Sequence, residues 1–454
     1  MVADGAIVVA VLFLAWLGIH YAEERQYNDA SVFLLRMVDS GWFYVNNGRW
    51  IMPLSQWMVI LGIHWGASMH TLMVLYALGN TAVLVGALVF VRGVLRDRPA
   101  AIALVATQLL GLAHAHFCPV FEFYYGSMLL IVLLALFRAS PQPGIAPLAL
   151  FAVLLFLALS SHPMAMIVTA FSLLLFRVDR SRRFAAVALI TMLAQLLIRW
   201  LVLSDYEANA MDAVGIRLDR WGMTWMFVPG RLYGQLWRAV AHYPDLLLLG
   251  LAVIWAAWCV QERALAIAYG AGTLVIYMLT SLYYPDGSHG VYREIVDYPF
   301  IVWTIVALYR SRWDALSGKV VGTLLVLSLV LRMVLVPITA TTYVTRVQWM
   351  KDRISSAHRQ GIQRGLVIDP PPFVPPGIDA VPIDALNPVE VLLFSSALGP
   401  DSTVVLFPVH PANARDSIAV VIDQRWRHER IPLIWNSGSP YFNLPPSPYR
   451  SLKE

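Results

Sequence analysis

The chain has 454 residues, 59% of them hydrophobic and only 13% charged, and its mean hydropathy is +0.64. A soluble globular domain carries about 25% charged residues, so the composition excludes an ordinary water-soluble enzyme over most of the length. The net charge of +5 comes from arginine, since Lys319, Lys351 and Lys453 are the only lysines; the arginines are scattered among short loops, which argues against a nucleic-acid partner.

In chain order, apolar runs predict membrane spans near residues 5–22, 69–91, 99–115, 124–137, 145–160, 163–176, 184–203, 245–260, 264–281, 299–309 and 320–340. About 20 apolar residues in a helix cross about 30 Å of hydrocarbon with every backbone group hydrogen-bonded inside the segment. The first run follows "MVADG", which lacks a basic leader, and no small-residue cleavage site precedes Glu23. It reads as a retained span rather than a signal peptide. Residues 51–65, "IMPLSQWMVILGIHW", are short, begin near Pro53 and carry tryptophan towards both ends, the pattern of an interfacial or re-entrant helix.

Loop charge sets the orientation. One set of loops is short and basic: Arg92, Arg96 and Arg98; Arg138; Arg177, Arg180, Arg182 and Arg183; Arg263; Arg310, Arg312 and Lys319. The alternate set (23–68, 116–123, 161–162, 204–244, 282–298 and everything after 341) is mixed in charge and rich in Tyr, Trp, Pro and His. Basic loops stay on the cytoplasmic side, so the N-terminus is expected inside and the C-terminal region outside. Residues 1–345 are thus expected to form the membrane domain, with large outer loops at 23–68, 204–244 and 282–298. Residues 346–454, entered through "DPPPFVPPGIDAVPIDALNP" and containing the strand-like runs "STVVLFP" and "SIAVVIDQRW", are expected to form a small mixed α/β soluble domain. The expected fold is therefore an all-α polytopic membrane protein of about 11 transmembrane helices with that appendage. Cys118 and Cys259 fall in different apolar regions and define neither a disulfide framework nor a metal site.

The outer loops hold the candidate chemistry. In "EERQYNDASVFLLRMVDSGWFYVNNGRW", residues 23–50, Asp29 precedes an amphipathic run in which Val32, Phe33, Leu35 and Met37 are apolar while Arg36 and Asp39 mark a polar side. Asp29 there, taken alone, suits a helix N-cap, with a reactive carboxylate as the alternative. "HAHFCPVFEFYYGS" brings His114, His116 and Glu122 to the same side, and the two-residue spacing of the histidines turns them apart on a helix, against paired metal ligation. "LALSSHPMAMI" adds His162, and "YYPDGSHGVYREIVDYPF" adds Asp286, His289, Tyr292, Arg293, Glu294 and Asp297. Tyr27, Trp42, Phe43 and Trp50 offer flat surfaces for a sugar or a lipid, or serve as belt aromatics.

This layout resembles the GT-C glycosyltransferases, polytopic enzymes that use polyprenyl-phosphate-linked sugars, and within them the relatives of protein O-mannosyltransferases and of the enzyme adding aminoarabinose to lipid A. Asp29 matches the acidic residue after the first span, "SVFLLRMVDSGWF" the juxtamembrane helix and "NNGRWIMP" the following turn. Gly48 and Arg49 stand where many relatives have His-Pro or Pro-Pro. The resemblance implies Asp29 as general base and Arg293, near an "RYxxP"-like stretch, as the group holding the lipid phosphate, since an arginine fork suits phosphate. It further implies Glu122, Glu24, Arg49, His162, Tyr292 and Glu294 as substrate-binding groups. The donor would be a polyprenyl-phosphate sugar, the acceptor a glycan, lipid or protein, and the reaction inverting. No metal cofactor is expected, because "EERQYND" has no clean Asp-x-Asp.

Two other classes stay open. A transporter or flippase for a lipid-linked or polysaccharide substrate would place charge deep within spans, where Arg199 and Arg332 are the candidates. A non-catalytic scaffold would keep the fold without the base. The arginine-rich, short-looped pattern points to a bacterial inner membrane.

Overall fold

The computed structural model describes residues 2–202, 240–283, 290–311, 315–374, 383–409 and most of 440–452, with isolated short pieces between 203 and 239. Its N-terminal three-quarters are helical: α1 (Val2–His20), α2 (Asp29–Ser40), α3 (Pro53–His64), α4 (Met69–Leu88, running on as a π-helical turn to Val94), α5 (Arg98–Leu109), α6 (Glu122–Ala139), α7 (Ile145–Ser161), α8 (Pro163–Leu175), α9 (Arg182–Leu201), α10 (Pro244–Cys259), α11 (Arg263–Tyr283), α12 (Gly290–Arg310) and α13 (Ala315–Arg359). Among the described residues, five stretches are long and apolar enough to cross a membrane: Met69–Val94, Glu122–Ala139, Arg182–Leu201, Arg263–Ser281 and Leu316–Arg359. Four shorter apolar helices accompany them: Asp4–His20, Ile145–Ser161, Pro163–Leu175 and Pro244–Cys259. The chain therefore has the helical architecture of an integral membrane protein.

Helix starts follow local chemistry. The Ser68 hydroxyl accepts from the Thr71 N–H at 3.2 Å and opens α4; Asp97 accepts from the Ala100 N–H at 3.0 Å and opens α5. Pro163 and Pro244 occupy first-turn positions, where a missing N–H costs no bond. Pro299 and Pro337 lie inside α12 and α13. Pro299 is the expected start of the tenth span, whereas the helix starts at Gly290, nine residues earlier; a proline inside a membrane helix is tolerated where neighbouring groups and local backbone adjustment satisfy the freed carbonyl.

Successive helices run up and down, so charged residues sort to two ends. At one end Asp4 bonds Arg98 at 2.9 Å and Arg92 at 3.3 Å, Asp97 accepts from the Tyr309 hydroxyl at 2.6 Å and lies 3.9 Å from Arg138, and Arg310 lies 3.9 Å from Glu262. Several arginines of the basic loops are thus partly neutralised. The opposite end gathers residues 21–68, 110–121 and 162, the start of α10 and of α12, and the region after residue 346.

The short apolar helix α3 packs closely on α4. Helix α3 lies so close to α4 that a Cβ at Gly79 would stand 2.1 Å from the Ser55 carbonyl oxygen, so only glycine permits the approach. Trp50, Trp57 and Trp65 beside it are exposed.

Helix α13 has 45 residues, about 68 Å at 1.5 Å per residue, roughly twice the hydrocarbon thickness. It passes through position 346 without a break and delivers Tyr343, Arg346 and Lys351 to the appendage. There a parallel sheet of order β2-β1-β3 is formed by β1 (Arg364–Ile368), β2 (Val405–Val409) and β3 (Arg450–Ser451). Helix α14 (Pro388–Ser396), capped by Asn387, crosses between β1 and β2, as a parallel pair requires. Strand β2 falls on "STVVLFP"; "SIAVVIDQRW" lies outside the described residues.

Candidate functional site

The stretch after α1 turns sharply before α2. Asn28 adopts φ 54°, ψ −117°, a combination native to glycine at the second position of a type II′ turn. Its N–H donates to Glu390 Oε1 of α14 at 3.0 Å, and its carbonyl accepts from the Ser31 hydroxyl at 2.6 Å. The N-cap position is therefore Asn28, with no side-chain cap bond, and Asp29 is the first helical residue. Asp29 is exposed at the positive end of α2. Helix α2 buries Phe33, Leu34, Leu35, Met37 and Val38. It closes on Gly41, whose left-handed backbone (φ 67°) lets its N–H reach the Met37 carbonyl at 2.8 Å.

Three of the residues singled out in sequence converge from three loops. Arg49 stands on a turn made by Asn47 and Gly48, both at positive φ, and its guanidinium pairs with Glu122 at the start of α6. His162, between α7 and α8, accepts the Met164 N–H on Nδ1 at 3.1 Å and packs between Phe121 and Phe123. Burial, then the Arg49 and Arg199 charges, hold the His162 ring neutral. The Tyr76 hydroxyl lies within electrostatic reach of both Glu122 and Asp29, and the Cys118 thiol within reach of Asp29.

Glu23 and Glu24 differ in surroundings. Glu23 contacts Lys351 of α13 and lies 3.9 Å from His70. Glu24 is half-buried, and burial, reinforced by the neighbouring Glu23 charge, pushes its carboxyl up to about 7. A carboxyl in that range exchanges protons readily at neutral pH.

The late loop divides into separate roles. Glu294 is buried, and its carboxylate accepts from the Ala113, His114 and Ala115 N–H groups at 2.7–3.0 Å, which engages both oxygens in holding the loop before α6. Arg293, one residue earlier, is half-buried at the same end of the bundle as Asp29, and its Nε has no acceptor. The Tyr292 side chain, Asp286 and His289 lie outside the described residues.

Several features escape sequence reading. Tyr27 is not a stacking surface: it is buried against Tyr343 with the Arg346 guanidinium 4.9 Å above its ring. Arg332 is bound at Nε to Asp245 at 2.9 Å and at Nη2 to the His242 carbonyl at 3.0 Å, fastening α13 to the start of α10. Arg346 forks onto Glu390 at 2.6 and 3.1 Å, both side chains buried. Arg25, in plain view within "EERQYND", is buried to 2% exposure. Among the described residues no group of three or more His, Cys, Asp or Glu stands close enough to hold a metal ion.

Comparison of the chain with family models, with curated proteins and with solved structures finds no match.

Proposed function

We propose that the chain is a GT-C-type glycosyltransferase that moves a sugar from a polyprenyl-phosphate donor to an acceptor at the outer face of a bacterial inner membrane. The topology is eleven crossings, with the N-terminus cytoplasmic and residues beyond 346 outside. Asp29 is the general base: it takes the proton of the acceptor hydroxyl or amine as that atom attacks the anomeric carbon. The bond from the anomeric carbon to the phosphate oxygen breaks, the electron pair leaves with the polyprenyl phosphate, and Arg293 steadies the charge. One displacement inverts the anomeric centre. Glu122, Arg49, His162 and Glu24 shape the sugar site, and Glu294 positions the loop at 113–115.

The observation that carries this reading is the meeting of Arg49, Glu122 and His162, from three separate loops, near an exposed Asp29 at one end of the bundle. Ionisable groups beside membrane helices are costly and mark function. The test uses membranes supplied with radiolabelled polyprenyl-phosphate sugar and candidate acceptors. Transfer is expected from the wild type and lost in Asp29→Asn at equal expression; unchanged transfer removes Asp29 from the base role. A transporter or flippase is the second reading, favoured by the Arg332–Asp245 ion pair buried between α13 and α10. Lipid translocation without transfer selects it.

A further inference from the structure

The turn Glu24–Gln26 after α1 packs beside the turn His114–Phe117 and beside α4, where the Gln26 side chain donates to the Met73 carbonyl. Arg25 points into this junction. Its Nε and Nη1 are sealed from solvent and have no hydrogen-bond acceptor, and no Asp or Glu among the described residues pairs with it. Other buried side chains here hold polar atoms without partners: His116 Nε2, the Tyr76 and Tyr124 hydroxyls, and Gln26 Oε1. The Arg25 charge acts on His116, Tyr124 and Tyr125.

Such a cluster is expensive. Water bridging between the tyrosines and the histidine would satisfy neutral groups, but it leaves a desolvated guanidinium uncompensated, and buried charges are normally paired. The contrast within this chain is sharp: buried Arg332 and Arg346 each have a carboxylate, Asp245 and Glu390. Arg25 remains a cation at neutral pH even with burial drawing its pKa down to about 10, while burial and Arg25 hold His116 at about 3, a neutral imidazole free to donate one N–H. A guanidinium beside the neutral donors His116 and Tyr124, from the 114–117 turn and α6, matches a tetrahedral oxyanion better than a two-oxygen carboxylate.

We propose that Arg25, with His116 Nε2 and the Tyr124 hydroxyl, forms an anion site whose ligand is a phosphate group, carried by a lipid or free. The site does not use Arg293 and does not depend on glycosyl transfer.

The test is thermal unfolding of the full purified chain in detergent, with inorganic phosphate, a short-chain prenyl monophosphate or the matching prenyl alcohol. The wild type should show a saturable rise in Tm of about 3–5 °C at a hundred-fold excess over Kd with a phosphate-bearing probe and none with the alcohol. A response to both phosphate probes identifies the group itself as the ligand; a response to the prenyl phosphate alone identifies the lipid. Arg25→Met should unfold at or above the wild-type Tm without phosphate, since it removes an unpaired buried charge, and should lose the shift. Tyr124→Phe, which removes one oxygen, should weaken it. The proposal is overturned if neither phosphate probe moves the wild type, if Arg25→Met still responds, if Arg25→Met is destabilised without phosphate as a purely structural arginine would be, or if Tyr124→Phe responds as the wild type does.

Discussion

Glu390 accepts the backbone N–H of Asn28 at 3.0 Å across 362 positions of sequence, and the same carboxylate holds the Arg346 fork. One buried acid on α14 thus stabilises both a glycine-like backbone and a desolvated cation, directly before the exposed Asp29. Breaking a buried pair leaves the other charge unpaired, a loss of about 3–5 kcal/mol. Glu390→Ala should therefore lower Tm markedly. If the turn it holds aims Asp29, the turnover of any surviving protein should fall with little change in KM. Unfolding curves and steady-state kinetics on the same preparation check both.

Asn28→Gly should do the reverse for stability. Non-glycine residues in such sparsely populated backbone regions cost about 1–3 kcal/mol, so glycine should raise Tm provided the Glu390 contact persists. A lower Tm would show that the Asn28 side chain contributes more than its backbone costs.

Asp29→Asn should reduce glycosyl transfer by about 10²- to 10⁴-fold, the usual contribution of a general base. Expression and Tm should stay close to wild type because Asp29 is exposed and the exchange keeps the size and shape of the side chain. Radiolabel transfer measured beside a folding check separates the two.

The Arg49–Glu122 pair links the turn after α2 to α6. Arg49→Met alone should destabilise by about 3–5 kcal/mol by stranding Glu122, and the double variant Arg49→Met with Glu122→Leu should recover much of that loss. A double-mutant cycle read by chemical denaturation gives the coupling directly. Additive losses would mean that the pair contributes little.

Glu24 gives a pH signature with a definite sign. Its folded pKa of about 7 lies above the ordinary 4.5, so its contribution to stability is complete below pH 4.5 and is lost as pH rises through 7. His116 acts oppositely: its pKa of about 3, against 6.5, gives stability that is present above pH 6.5 and lost on acidification towards 3. Glu24→Gln should abolish the alkaline-side loss between pH 4.5 and 7 and leave the acid-side slope of His116 exposed. Tm measured from pH 4 to 8 on both proteins tests this.

Much of the helical layout is legible in the sequence, because helix hydrogen bonds close within four residues and an apolar run declares itself locally. The runs at 69–91, 145–160 and 163–176 coincide closely with α4, α7 and α8. The loop-charge alternation likewise brings Arg49, Glu122 and His162 to one end without any three-dimensional information. Pro299 misleads as a span start, because the helix begins at Gly290 and runs through it. What the tertiary structure alone decides is which polar groups lose water and which find partners. Nothing in "EERQYND" distinguishes the buried, unpaired Arg25 from the paired Glu23, and nothing near Tyr27 announces that Tyr343 and Arg346 enclose it. Glu390 and Asn28 meet only because α13 runs on through Arg346 and α14 packs back against the turn before α2. Burial and charge pairing are sums over neighbours from distant parts of the chain, and local sequence holds no record of those neighbours.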